Sequence, residues 1–116
     1  MLPRLLICED DFLIASDLAS TLSDCGATIV GFAAEADKAL ELAQRDTMEV
    51  DAAILDIRLG GELAYPVARA LLDRGVGVVF YSGYSDRDVP VEFAAVPFVS
   101  KPADAATILQ ALQLAR

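Results

Sequence analysis

Four places in the chain hold the residue types that could do chemistry. Glu9, Asp10 and Asp11 stand together directly after the apolar run Leu5-Leu6-Ile7-Cys8, and Asp56 closes the run Val50-Asp51-Ala52-Ala53-Ile54-Leu55. Ser82-Gly83 follows Val76 to Tyr81, and Ser100-Lys101-Pro102 follows Phe98-Val99. Short apolar runs bounded by charge or by Gly60-Gly61 suit central parallel strands covered on both faces. Each of these polar groups then lies at the carboxyl end of a strand. In open α/β sheets that edge is where ligands bind, because loops converge there and helix N-termini aim free N–H groups at it. Grouped acids, a strand-terminal carboxylate, a hydroxyl and an ammonium would meet at one edge. Such a set repels phosphate on its own and tolerates it only with a metal cation between. Taken singly the features are bland: an Asp after a strand often caps the next helix, Ser-Gly is a turn, and a lysine is usually solvated. Capping explains one acid of the triplet but is strained as an account of three.

Alternating strands and helices are what must bring those groups together. After the first strand, Ala15, Leu18, Ala19, Leu22 and Cys25 fall at the spacing of one buried helix face, and Gly26 stops it as a C′ glycine would. Thr28 to Phe32 predicts a second strand, and Ala36, Ala39, Leu40 and Ala43 a second helix. The Asp56 strand leads through a Gly-rich loop to Ala64, Val67, Ala68 and Leu71, with Pro66 in the first turn and Gly75 at the end. Val76 to Tyr81 is the fourth strand. From Ser82 to Pro97 the pattern weakens, since Gly83, Ser85, Asp86 and Pro90 interrupt it, leaving Val91, Phe93, Ala94 and Val96 on a partial fourth helix face. Phe98-Val99 is the fifth strand, and Ala105, Ile108, Leu109 and Leu112 mark a fifth helix. Strict alternation with right-handed crossovers implies a parallel sheet between two helical layers.

Composition narrows the function. The 116 residues make one domain, residues 1–116, large enough for a real core, and 55% hydrophobic content with 23% charged residues argues against disorder. The apolar runs are too short for a membrane span and no signal-peptide pattern opens the chain, so a soluble cytoplasmic protein is expected. No histidine is present, which excludes histidine catalysis, and Cys8 and Cys25 read as reduced core residues rather than a zinc site. Nine basic against eighteen acidic residues give a net charge of −9, which argues against nucleic acid as a direct partner.

In combination, the acid triplet, Asp56, Ser82 and Lys101-Pro102 resemble the receiver domain of two-component response regulators, over essentially the whole chain from Leu5 to the last helix. The resemblance implies a three-layer, flavodoxin-like (CheY-like) sandwich whose five-stranded parallel sheet has the order 2-1-3-4-5, with five helices. Asp56 matches the phosphoacceptor, a carboxylate that attacks the phosphohistidine of a partner and becomes an acyl phosphate. Asp10, Asp56 and the backbone carbonyl of Arg58 match the ligands of Mg²⁺, with Glu9 acting through water. Asp11 reads as an N-terminal helix residue favoured by the dipole. Lys101 matches the cation for a phosphoryl oxygen and, before transfer, for Asp56 itself; its bond to Pro102 is usually cis in the family and is eligible here. Ser82 matches the hydroxyl that bonds a phosphoryl oxygen, Gly83 the small residue that keeps the pocket open, and Phe98 the switch aromatic that moves with Ser82. Without a hydroxyl, the position of Phe98 is set by burial alone. The Arg58 guanidinium is placed to lie over the acidic pocket.

The loop Asp56-Ile57-Arg58-Leu59-Gly60-Gly61-Glu62 and the run Phe80-Tyr81-Ser82-Gly83-Tyr84 are similar to an alphaproteobacterial group of mostly single-domain receivers with a Phe-Ala-Thr-Gly-type fourth strand; Tyr81 and Ser82 depart from its Ala and Thr. The resemblance thus implies a stand-alone receiver without an output domain and with no enzymatic activity beyond its own phosphorylation and dephosphorylation. Its partners are a sensor histidine kinase or a histidine phosphotransfer protein and an unidentified downstream protein. The fourth helix, fifth strand and fifth helix form the output face, which also suits a homodimer. A haloacid-dehalogenase-like phosphatase would carry a second Asp where Arg58 stands, and a flavin or nucleotide binder would carry a Gly/Ser/Thr loop where Glu9-Asp10-Asp11 stands. The remaining alternative is a degenerate receiver used as a phosphorylation-independent docking module.

Overall fold

A computed structural model describes residues 3–45, 47–83 and 88–115. The elements run β1 (Arg4–Cys8), α1 (Phe12–Asp24), β2 (Thr28–Ala33), α2 (Ala36–Ala43), β3 (Ala52–Leu55), β4 (Arg58–Leu59), β5 (Glu62–Leu63), α3 (Tyr65–Asp73), β6 (Gly77–Ser82), β7 (Phe98–Ser100) and α4 (Ala105–Ala115). Five strands form one parallel sheet in the order β2-β1-β3-β6-β7, while β4 and β5 make a separate antiparallel hairpin. With β6 and β7 as fourth and fifth strands of the sheet, the expected order 2-1-3-4-5 is the one observed.

Period-two alternation along the strands splits the core into two layers. Leu5, Ile7, Ala52, Ile54, Val79 and Tyr81 face one way, onto Ala15, Leu18 and Leu22 of α1 and Ile108, Ala111 and Leu112 of α4. Leu6, Cys8, Ala53, Leu55, Val78 and Phe80 face the other way, onto α2 and α3. Because β1, β3 and β6 are buried on both faces, their runs are apolar throughout and carry polar groups only where the strands end.

The helix termini follow local chemistry. Asp11 is the N-cap of α1, its Oδ1 accepting the N–H groups of Leu13 at 2.9 Å and Ile14 at 3.2 Å. Gly26 (φ 100°) ends that helix, with its N–H bonded to Ser23 O and that of Ala27 to Leu22 O, as the C′ glycine reading requires.

Three sequence expectations are corrected. Cys25 is exposed rather than core: α1 stops at Asp24, so Cys25 is the C-cap and the stripe ends at Leu22. Gly60 and Gly61 do not sit in an open loop but form the two-residue turn of the β4–β5 hairpin, with positive φ (56° and 86°) at both positions. Each of its strands is two residues long, too short to show alternation. Finally, there are four α-helices and not five among the described residues. Between β6 and β7 these include a 3₁₀ turn, Val91–Phe93, entered from Pro90, whose ring rules out a helical hydrogen bond there. Part of the expected fourth helix, residues 84–87, lies outside the described residues.

Gly77, at the start of β6, sets how closely α4 approaches the sheet. A Cβ there would lie 2.8 Å from the carbonyl oxygen of Ala115, so the last turn of α4 would have to move. Gly77→Ala should lower the unfolding free energy by about 1–3 kcal/mol, the usual cost of overpacking, read as a lower urea midpoint with unchanged m. An unchanged midpoint would mean that the end of α4 yields freely.

Candidate functional site

In a parallel sheet, residues that follow different strands meet whatever their separation in sequence. Glu9 and Asp10 follow β1, Asp56 follows β3, Ser82 ends β6, and Lys101 follows β7. The backbone of the site is held by continuations of the ladders: Glu9 N–H to Ala33 O (2.9 Å), Asp56 N–H to Cys8 O (2.9 Å) and Lys101 N–H to Ser82 O (3.0 Å). The Lys101-Pro102 bond is cis.

At the centre Lys101 Nζ donates to both carboxylate oxygens of Glu9, at 2.9 and 2.7 Å, and to Asp56 Oδ2 at 2.7 Å. Glu9 and Asp56 are only 6% and 7% exposed, so two acids share one cation largely out of water. Burial above all pushes the Glu9 carboxyl up, to about 7; the hydrogen bond from Lys101 pulls the other way, and neighbouring Asp56 adds to the rise. Burial alone would lower Lys101, but its bonds to Asp56 and Glu9 outweigh that and raise it. The ammonium also sits 5.6 Å from the centroid of the Tyr81 ring, whose hydroxyl accepts the Ala103 N–H at 3.3 Å.

The acid triplet therefore divides its labour. Glu9 is buried against Lys101, Asp11 caps α1, and Asp10 is exposed with Oδ2 accepting the Gly60 N–H at 3.2 Å. Asp56 Oδ1 accepts the Arg58 N–H at 3.3 Å. Glu9, Asp10 and Asp56 each present a carboxylate oxygen, and the three lie within 4.8 Å of one another. An all-oxygen, anionic donor set with one member open to water fits a hard divalent cation such as Mg²⁺, which keeps several waters when bound.

The remaining expected residues are placed less directly. Ser82 is fully buried at the end of β6. Gly83 is exposed, and a Cβ on it would meet nothing within 4 Å among the described residues, so no close approach explains a small residue there. Phe98 is half-buried against the layer that carries Phe80 and Phe93. Arg58 is exposed, and its Nη1 donates to Gly61 O at 3.2 Å, back along its own hairpin. Two contributors had no assigned role in the sequence: the Gly60 N–H, a backbone group that no residue type announces, and Tyr81, which was visible only as a departure from the Ala of similar receivers.

A doubly wound sheet of this order, with acids, an aspartate, a hydroxyl and a lysine on its carboxyl edge, defines a phosphorelay signalling domain. The chain belongs to the response regulator receiver domain family, whose sequence pattern matches residues 5–113. It is 32% identical over 97% of its length to the transcriptional regulatory protein PdtaR of Mycobacterium tuberculosis, and spans 56% of that protein. The solution structure of SdrG from Sphingomonas melonis Fr1, an alphaproteobacterial receiver of the group the sequence resembles, superposes with a TM-score of 0.83 at 38% identity, covering 97% of this chain and 95% of that one. A response regulator from Burkholderia pseudomallei, crystallised with a phosphorylated aspartic acid, calcium ion and citrate, has a TM-score of 0.79 at 25% identity over 96% of this chain and 66% of its own. Among the described residues no helix is long and apolar enough to cross a membrane.

The raised Glu9 carboxyl has a measurable sign. In metal-free protein Glu9 holds its proton up to about pH 7 when folded, against an ordinary carboxyl value of 4.5. Folding therefore takes up a proton in that window, and stability falls as pH rises through it. With no histidine in the chain the window is nearly clear of other titrations. In EDTA, the decline of the urea midpoint between about pH 4.5 and 7 should be flatter in Glu9→Gln. Equal slopes in the two proteins would assign the decline elsewhere.

Proposed function

We propose that the chain is a stand-alone receiver that takes a phosphoryl group on Asp56 from the phosphohistidine of a sensor histidine kinase or phosphotransfer protein, in a Mg²⁺-dependent reaction, and signals through protein contacts. The observation that carries this reading is Lys101 held between Glu9 and Asp56, with Asp10 alongside.

In the transfer, an Asp56 carboxylate oxygen forms the new O–P bond as the P–N bond of the donor breaks, and the electron pair of that bond stays on the imidazole nitrogen. Asp10, Asp56 and the Arg58 carbonyl, with Glu9 through water, would hold Mg²⁺, which would supply positive charge to the phosphoryl oxygens. Lys101 gives up Asp56 Oδ2 for a phosphoryl oxygen, a short move for an ammonium that Glu9 keeps anchored by two bonds. The Ser82 hydroxyl takes another phosphoryl oxygen, with Gly83 beside it. A working acceptor gives the buried Glu9–Lys101–Asp56 network a use that a phosphorylation-independent docking module would not. The phosphorylated aspartate reported for the Burkholderia relative supports the same reading.

Downstream, Ser82 and Phe98 form the switch. The segment they control includes the 3₁₀ turn Val91–Phe93 among its described residues, and segments held by few backbone bonds shift at low cost. The output and self-association face then comprises that segment, β7 and α4, where Val91 and Leu114 are exposed.

Incubation with Mg²⁺ and acetyl phosphate should add one phosphoryl group by intact mass, and Asp56→Asn or EDTA should abolish the gain. A gain that persists in Asp56→Asn would move the acceptor elsewhere. Beryllium fluoride with Mg²⁺ should change hydrogen exchange across residues 88–98, and Ser82→Ala should blunt that change. Changes confined to residues 9–11 and 56 would show that partners read the phosphoryl site directly.

A further inference from the structure

Two backbone N–H groups from one short hairpin reach two different acids of the site. Arg58 N–H bonds Asp56 Oδ1 at 3.3 Å, and Gly60 N–H bonds Asp10 Oδ2 at 3.2 Å. The two donors are alternate residues, and the hairpin register pairs Arg58 with Leu63 and Leu59 with Glu62. Arg58 is a strand residue of β4 and Gly60 the first residue of the turn, and both N–H groups are turned to the site rather than to β5. The hairpin is itself held firmly: Ile57, Leu59 and Ala64 are buried, and Ala64 N–H closes its base on Ile57 O at 2.7 Å.

We propose that the β4–β5 hairpin is a positioning element for the cation site, with the Gly60 N–H aiming the otherwise free Asp10 carboxylate. This rests on reading Glu9, Asp10 and Asp56 as the cation site. Asp10 is exposed, and an unrestrained carboxylate there must be ordered whenever a cation is taken. The bond from Gly60 orders it beforehand through Oδ2 and leaves Oδ1 without a partner among the described residues. Outer donors that orient a ligand carboxylate commonly govern metal affinity.

Gly60 is required for its backbone and not for space. Its φ is 56°, and a Cβ would make only ordinary contacts, the nearest being Glu35 Cγ at 3.5 Å. Asn tolerates that left-handed conformation and keeps the N–H, whereas a β-branched residue resists it and displaces the turn. Gly60→Asn should therefore retain the Mg²⁺ affinity of the parent in a calorimetric titration, and Gly60→Val should weaken it on the order of tenfold. If Gly60→Val does not fold, glycolic acid at position 60, which puts an ester oxygen in place of the N–H and keeps the chain path, replaces it in the comparison. Without metal, exchange of the Gly60 amide should be slow in the parent and in Asp10→Asn, which keeps an acceptor, and fast in Asp10→Ala.

Parent-like Mg²⁺ affinity in Gly60→Val or the ester, or Gly60 exchange indifferent to Asp10→Ala, overturns the proposal. Failure of the underlying site reading looks different: Asp10→Ala would then leave Mg²⁺ affinity unchanged, whatever the Gly60 amide does.

Discussion

One ammonium between two buried carboxylates is the interaction on which the carboxyl edge of this sheet depends. Lys101 spans Glu9 and Asp56 with three bonds of 2.7 to 2.9 Å. Without it, two acids of low exposure would face each other, and removing one partner of a buried ionic group leaves a charge that costs several kcal/mol, of order 3–5. With it, the pair of acids and the ammonium stay one charge short of neutral, and the Glu9 carboxyl rises because burial, helped by Asp56, outweighs the pull of Lys101. That residual deficit is also a standing attraction for a cation or for a second positive group.

The geometry of the edge follows from parallel strands more than from the site residues themselves. A parallel ladder ends all its strands on the same side, and here the ladders run one residue further to Glu9, Asp56 and Lys101. Side chains 45 and 92 residues apart thus meet without any loop reaching across. The residues of the site are carried at the ends of strands buried on both faces.

Beside that edge, the described residues between β6 and β7 pack through an aromatic cluster. Phe93, from the 3₁₀ turn, stacks on Tyr65 of α3 at 5.5 Å and meets Phe80 of β6 edge-on at 6.0 Å. Arg69 lies over the outer face of Phe93 at 5.2 Å and pairs with Glu92 at 3.0 Å. Aromatic packing at a single residue, a contact worth about 0.5–1.5 kcal/mol beyond its area, anchors a stretch that has few backbone bonds of its own.

By itself the sequence determined the strands, the alternation with helices and the residues at each strand end. These are local matters, settled by apolar periodicity and by where charge interrupts it, so Asp11 at the start of a helix and Gly26 as a stop were legible, while the order of the sheet came from the family resemblance and not from the pattern. It did not announce that Cys25 lies just past the end of α1, because a stripe has no term for where the helix stops. Nor did it show that a 3₁₀ turn follows Pro90, or that Leu59 and Leu63 belong to a hairpin, since strands of two residues leave no pattern. Only the tertiary structure decided which of three neighbouring acids is buried on Lys101, which caps a helix and which is held out to solvent by Gly60. The physical reason is that partners across a sheet are chosen by register and burial, and a backbone N–H carries no mark of its destination in the residue that bears it.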